Sequence, residues 1–561
     1  MKHLLSFAII ISFLICSCSE REVADLVINN AKIVTIDKDN PRAEALAIKG
    51  DRIIAVGSVK KISRYIESTT TEIIDAGGRL VLPGFNDAHA HFGPMDPDYI
   101  ELRYITDPNI ITEKVAARVA TARPGELIFG GHWEHEMFTN REWPTKELLD
   151  KVAPDNPVAL RRTDGHSVLV NSYVIKNSGI TKDTPDPFGG EIQKDPLSGE
   201  PMGIFKEAAQ RLLKYGAVKV ELSDEEKAEK ERIGYLMALD MARQLGITSI
   251  QIPGPSDWNR WIALMDEGEL TCRLDIGAVL TDNSDRLQEY RERQQQYPMS
   301  GDMIRFGYLK GFIDGTLGSG TALMFEPFSD EPDKSGLPQM TYEELEKRVV
   351  ASDAAGFQIG IHAIGTKANN WILNAYEKAA EVNGVRDSRH RSEHAQILIK
   401  EDIPRFAALG VIPSMQPTHC ITDKRFAEKR IGLERSRYAY AWKTLAGTGA
   451  KLAFGTDYSV EPLNPMEGLY ASVTRKDRLG EEGDGWFPEE KLGMEEAIEY
   501  YTLGAAYSQF MEDRKGMIKE GYLADIIITD KDLLTIPEEE IMDTRVIMTM
   551  LGGKVVFSEE F

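Results

Sequence analysis

His89 and His91 stand two residues apart in the run Pro83–Gly84–Phe85–Asn86–Asp87–Ala88–His89–Ala90–His91. Neighbouring imidazoles suit a divalent cation, because the neutral ring nitrogen is a good ligand for zinc and similar ions. The run follows Leu80–Val81–Leu82, which reads as a buried strand entering a turn. Side chains two apart on a strand share a face, so both rings are expected to point one way. A lone His-x-His is as readily a pair of polar residues capping a strand, and further ligands decide between the readings. Four later residues supply them. Lys310 follows Arg305–Phe306–Gly307–Tyr308–Leu309, His362 ends Gln358–Ile359–Gly360–Ile361, His394 lies in Arg389–Gln396, and Asp457 ends Leu452–Ala453–Phe454–Gly455–Thr456. His, His, Lys, His, His, Asp is a ligand set, not the arrangement of a Ser or Cys nucleophile.

Residues so far apart in the chain meet if they share the C-terminal ends of parallel barrel strands. Residues 86–510 alternate apolar strands (Pro157–Leu160, Ile247–Ile250, Phe357–Ile361, Lys451–Phe454) with helical stretches (Glu225–Leu245, Tyr342–Ala355, Lys367–Asn383, Glu495–Gln509). That alternation predicts βα units, and their number favours a (β/α)8 barrel over a doubly wound sheet. A barrel needs about 250 residues, so this centre carries insertions. The clearest, residues 92–222, is rich in Pro and Gly, as in Asp186–Pro187–Phe188–Gly189–Gly190, and reads as a lid-like subdomain. Short β-rich runs in Asp25–Ser58 are mirrored by Ala524–Ile528, Val546–Leu551 and Lys554–Phe557. Either set alone leaves open edges; pairing 23–85 with 511–561 as one discontinuous β-sandwich closes them. The expected fold is α/β: a distorted (β/α)8 TIM barrel with a lid-like insertion and a small composite β-sandwich.

The 561-residue chain is 42% hydrophobic and 28% charged, with a formal net charge of −23. That composition suits a globular enzyme with a small-molecule substrate and argues against nucleic acid, which needs clustered Lys and Arg. Lys2 and His3 precede the apolar run Leu4–Ile15, too short to span a bilayer and typical of a secretory signal. Ile15–Cys16–Ser17–Cys18 resembles a bacterial lipobox, which implies removal of residues 1–17 and lipidation of Cys18; the alternative is an ordinary signal cut nearby. The expectation is an exported lipoprotein held at a cell-envelope membrane through that anchor, with its oligomeric state open. Cys272 and Cys420 then remain, too few for a disulfide framework.

Beyond the ligand set, several motifs are specific: Phe85–His91, Arg162–Thr163–Asp164–Gly165–His166, Asp314–Ser319, His362–Ala363–Ile364–Gly365, Glu393–His394–Ala395–Gln396, Met415–Gln416–Pro417–Thr418–His419 and Gly455–Thr456–Asp457. With them the chain, from Ala24 to Phe557, resembles the amidohydrolase superfamily, in particular the YtcJ-like branch that includes N-substituted formamide deformylases. The resemblance implies one or two divalent metals, usually zinc. His89, His91 and Asp457 would bind one ion, His362 and His394 the second, and Lys310, carboxylated on its amine, would bridge them. One position departs from the pattern: Thr366 stands where the family usually has Asp after His-Ala-Ile-Gly, which puts support of the metal site by that carboxylate in question.

His394 is preferred to His390 by motif position alone. His166 and His419 are expected near substrate, since both sit in loops that should open on the active face. His132 and His135 do not form a His-Glu-x-x-His motif, because position 139 is Thr, and Gly315–Gly320 lacks the Lys-Ser/Thr ending of a phosphate loop. The chemistry expected is hydrolysis of an amide-type C–N bond. Metal binding lowers the pKa of water from 15.7 to about 7 and so makes hydroxide available, Asp457 serves as general base, and His166 or His419 steadies the carbonyl oxygen. N-formyl or N-acyl amines, cyclic amides or imides, and amino-substituted rings are all open as substrates. A metal-dependent isomerase and a solute-binding lipoprotein are the readings outside hydrolysis.

Overall fold

The computed structural model describes residues 22–559 apart from 164–166, 188–189, 219–222, 300, 319 and 481–482. Cys18 and its lipobox, and His166, lie outside the described residues. The chain forms two compact units, one running to Phe92 and resuming at Leu239, the other Gly93–Ala238.

The first unit contains eight parallel strands: β1 (Phe85–Asp87), β2 (Ile247–Ile252), β3 (Arg273–Val279), β4 (Ile304–Phe312), β5 (Ile359–Ala363), β6 (Arg391–His394), β7 (Ile412–Met415) and β8 (Ala453–Phe454). They pair in that order, β1 to β8, as a distorted TIM barrel. Strands covered on both faces read as continuous apolar runs, and Ile247–Ile252 and Ile359–Ala363 are buried at every position. The barrel closes where Ala88 N–H donates to the Phe454 carbonyl at 3.0 Å.

Leu80–Pro83 is not the strand that delivers His89 and His91. It belongs to a different sheet, six-stranded, in the order Lys554–Ser558, Val546–Leu551, Ile526–Thr529, Leu80–Pro83, Lys32–Val34, Arg42–Ala43. Gly84 makes the step into β1, where a Cβ would strike the Thr248 side chain at 2.3 Å. A four-stranded sheet of Arg52–Gly57, Ala45–Lys49, Leu26–Asn29 and Glu72–Asp75 accompanies it. Ile28, Ile33, Leu46, Val81, Ile526, Ile528 and Met550 form one buried cluster drawn from both sheets and both chain ends. Each face therefore covers the other's apolar side.

Helices Tyr342–Ala354 and Thr366–Asn383 run as expected. The expected helix Glu495–Gln509 is interrupted: Met494–Glu499 gives way to a wider turn at Tyr500–Gly504 before Ala505–Ser508. That widening is placed where the Tyr501 hydroxyl donates to the Gly455 carbonyl at 3.2 Å.

The second unit is built on a mixed sheet in the order Gly190–Lys194, Pro201–Glu207, Ser167–Val170, Val158–Arg162, Ile128–Trp133, Ile100–Glu101. Pro157–Leu160, an apolar run within the 92–222 insertion that sequence does not tell apart from a barrel strand, belongs here; its pattern is the same in either setting. Trp133 is fully buried in this unit, its indole N–H donating to the Leu160 carbonyl at 2.9 Å.

Candidate metal centre

The six ligand-type residues converge at the C-terminal ends of the barrel strands. His89 and His91 follow β1, Lys310 lies near the end of β4, His362 on β5, His394 at the end of β6, and Asp457 three residues past β8. His89 and His91 sit beyond their strand rather than on it, with ring centroids 5.5 Å apart. His89 is fully buried, whereas the His91 side chain is 43% exposed and opens the centre to solvent. Donor atoms of His89, His91 and Asp457 gather closely enough for one ion, and those of His394, His419 and Asp457 form a second such group. His362 packs against His394 at 4.5 Å between centroids, and Lys310 Nζ lies 3.3 Å from His89 Nε2. His394 and Asp457 take left-handed φ values of 80° and 58°, a cost of the kind that clusters at functional sites.

Each of three rings has one nitrogen committed to an acceptor. His89 Nδ1 meets Glu393 Oε2 at 2.6 Å, His394 Nδ1 meets Gln416 Oε1 at 2.7 Å, and His362 Nε2 meets the Gly315 carbonyl at 3.1 Å. An acceptor there fixes the proton on that nitrogen and leaves the other as a bare lone pair, the state a metal needs. Burial keeps the rings neutral. It lowers His89 to about 4 and His362 to about 3, the Lys310 ammonium adding to both, and takes His394 well below the ordinary range, helped by His362.

Asp457 completes the set. Burial alone would raise its pKa, but His419, His91, His394 and His89 hold it well below the usual carboxylate range. Its Oδ2 is 3.1 Å from His419 Nε2. Its Oδ1 is buried, 3.3 Å from His91 Nε2 and 3.5 Å from His89 Nε2, and has no hydrogen-bond donor among the described residues. A bare carboxylate oxygen among imidazole lone pairs is a cation site by its chemistry, so the residues fit a divalent metal. Lys310 is buried beside it over the Phe312 ring, 4.7 Å from the centroid, and burial lowers its amine to about 8.

Three supporting groups carry no role in the sequence reading. Glu393 orients His89 and is paired with buried Arg391, Nε to Oε1 2.7 Å. Burial pushes Glu393 up, yet Arg391 and His89 bring it down to about 2, so it stays a carboxylate. Gln416 orients His394. Asp87 accepts from the Thr456 N–H and the His89 N–H, both at 3.0 Å, and so ties the β1 ligands to the Asp457 loop; burial raises it to about 7. The signal for Glu393 and Gln416 was their place inside the His394 and His419 motifs; Asp87 sits two residues ahead of His89.

Other positions resolve differently. His390 accepts from Ile359 N–H at 3.2 Å and meets Asp353 at 3.1 Å, a structural bridge four residues short of His394. His132 pairs with Glu101 at 2.9 Å and His135 stacks on Trp143 at 4.1 Å, both within the second unit. Thr366 accepts from Phe325 N–H at 3.1 Å. The turn after His362 is held instead by Asp314, whose carboxylate accepts from Ile364 and Gly365 N–H at 3.1 and 2.8 Å. The acceptors that orient the rings are thus Glu393, Gln416 and the Gly315 carbonyl.

A parallel barrel with this donor set at its strand ends defines a metal-dependent hydrolase. The chain belongs to the amidohydrolase family, Amidohydro_3, which matches residues 72–557. It is 30% identical over 532 residues to the putative amidohydrolase YtcJ of Bacillus subtilis, covering 94% of this chain and 98% of that one. It is 25% identical over 565 residues to the N-substituted formamide deformylase of Arthrobacter pascens, covering 95% and 98%. A solved metal-dependent hydrolase of uncharacterised function from Pyrococcus furiosus is 27% identical with a TM-score of 0.66, covering 91% of this chain and 100% of that one.

Proposed function

We propose that this hydrolase cleaves an amide-type C–N bond in a small molecule, an N-formyl or N-acyl amine above all, with zinc as its metal. The observation that carries the reading is Asp457 Oδ1, buried without a donor and flanked by the Nε2 atoms of His91 and His89. Nitrogen and carboxylate donors of this kind favour zinc over calcium or magnesium. Likeness to the formamide deformylase along 95% of the chain supports the choice of bond.

This set would hold a divalent ion, which when bound would supply a water of pKa about 7 and polarisation of a carbonyl. His89, His362 and His394 hold bare nitrogens toward it because Glu393, the Gly315 carbonyl and Gln416 take the opposite ring nitrogens. Asp457, ionised and adjacent, accepts the proton of the attacking water and returns it to the departing amine. Partly exposed His91 marks the side from which substrate enters. Carboxylation of Lys310 belongs to the two-ion form of the reading and is tested by intact mass.

Elemental analysis of purified protein, followed by a screen of N-formyl amines, N-acyl amines, cyclic amides and amino-substituted rings, tests the proposal. Zinc near one or two equivalents and release of a free amine are expected. Ammonia release without amine release would make it a deaminase, and equal turnover by metal-stripped protein would remove the metal mechanism. The exported, lipid-anchored placement rests on Lys2–Cys18. Palmitate labelling that survives in Cys18→Ala would refute it.

A further inference from the structure

His419 faces a carboxylate with each of its ring nitrogens. Nε2 lies 3.1 Å from Asp457 Oδ2 and Nδ1 3.5 Å from Glu461 Oε1. The two acids are four residues apart on one loop, where Glu461 N–H also approaches the Asp457 carbonyl at 3.4 Å. Glu461 is buried and held in its turn: Thr422 Oγ1 donates to Oε1 at 2.8 Å, and Arg478 Nη2 lies 3.6 Å from Oε2. Thr422 and His419 both belong to the helix Pro417–Ser436, one turn apart, so helix and loop are laced together at the metal centre. Both ring nitrogens of His419 thus face carboxylates of this one loop, which places the ring between the two acids.

We propose that Glu461 is a positioning residue: it holds His419 against Asp457 Oδ2, so that Asp457 turns Oδ1, and Oδ1 alone, to the metal. His419 is then a strut between two carboxylates, and Thr422 fixes the outer end of that strut. This rests on the metal-centre reading above, but does not depend on which amide is the substrate.

Zinc affinity measured by chelator competition on the full protein tests it, in wild type, E461L, H419Q and the double variant. E461L should weaken zinc binding by about 10-fold or more, within the range for groups that orient metal ligands, and lower kcat with little change in KM. E461Q, which keeps an acceptor oxygen for His419, should recover most of the affinity. In the H419Q background E461L should add nothing, because its effect passes through the ring it holds. Thermal unfolding in the presence of chelator checks that the variants fold; should E461L fail, T422V loosens Glu461 without removing it and is compared in the same way. Wild-type affinity in folded E461L, or losses in the double variant equal to the product of the single losses, would overturn the proposal. Wild type that binds no zinc would remove the metal-centre reading itself, and this one with it.

Discussion

The backbone N–H of Asp457 donates to the carbonyl of His89 at 2.7 Å. This bond crosses the seam where the eighth barrel strand meets the first, so the contact that closes the barrel also places the candidate ligands His89 and Asp457 side by side. Ala88 to Phe454 and Asp87 to Thr456 lie on the same seam. A perturbation there should register as both lost stability and lost metal affinity.

Gly455 is the first case. A Cβ at this position would lie 2.5 Å from His89 N and 2.6 Å from Asp87 Oδ1. Gly455→Ala should destabilise the fold by about 1–3 kcal/mol, as overpacking does, and weaken zinc binding in the same protein. Urea unfolding and chelator titration read the two effects; a loss of stability with unchanged metal affinity would separate seam from centre.

Asp457→Asn tests the base. The amide keeps the volume of the side chain but takes up no proton, so kcat should fall about 10²–10⁴-fold, the usual worth of general acid–base catalysis. Metal content should fall less. Normal turnover in this variant would contradict the role given to Asp457.

Glu393→Gln separates orientation from charge. The amide oxygen can still accept from His89, while buried Arg391 loses its anionic partner at 2.7 Å. Breaking a buried pair from one side costs about 3–5 kcal/mol, and groups that orient ligands are worth 10–100-fold, roughly, in metal affinity. The loss of stability should appear by urea unfolding, while metal affinity read by chelator competition should fall by less than that range, because His89 keeps an acceptor.

Lys515 gives a pH dependence remote from the metal. Its amine is buried against Ser249, and burial lowers it from 10.5 to about 7. Between those values the unfolded chain binds the proton and the folded protein does not, so stability rises with pH across that window as far as this group is concerned. The cost of burying the amine is complete below about 7 and gone by 10.5. The stability difference, Lys515→Met minus wild type, should therefore be largest near neutrality and shrink as pH rises. A difference that stays flat over the window would show that Lys515 is not buried as described.

His89, His91, Lys310, His362 and Asp457 were legible as candidate ligands because each follows or ends an apolar run, and His394 by its motif position; strand ends on one face of a barrel meet. The βα alternation is likewise local, as are the helices Tyr342–Ala354 and Thr366–Asn383. Leu80–Leu82 reads as the strand that carries His89 and His91, and Pro157–Leu160 is not told apart as a barrel or an insertion strand, because an apolar run has the same pattern in any sheet that buries it. Helix Glu495–Gln509 reads as continuous because nothing in its periodicity marks the wider turn that brings Tyr501 to Gly455.

By itself the sequence determined the donor types, their order along the chain, and the periodicities that make strands and helices, all properties of neighbouring residues. Tertiary structure alone decided which nitrogen of each ring is bare, because the acceptors come from elsewhere: Glu393 reaches His89 across 304 residues. It also decided that His419 lies between Asp457 and Glu461, and that Asp457 Oδ1 is left without a donor. Protonation and ligand geometry follow from burial and from partners brought in by the fold, which spacing along the chain does not record.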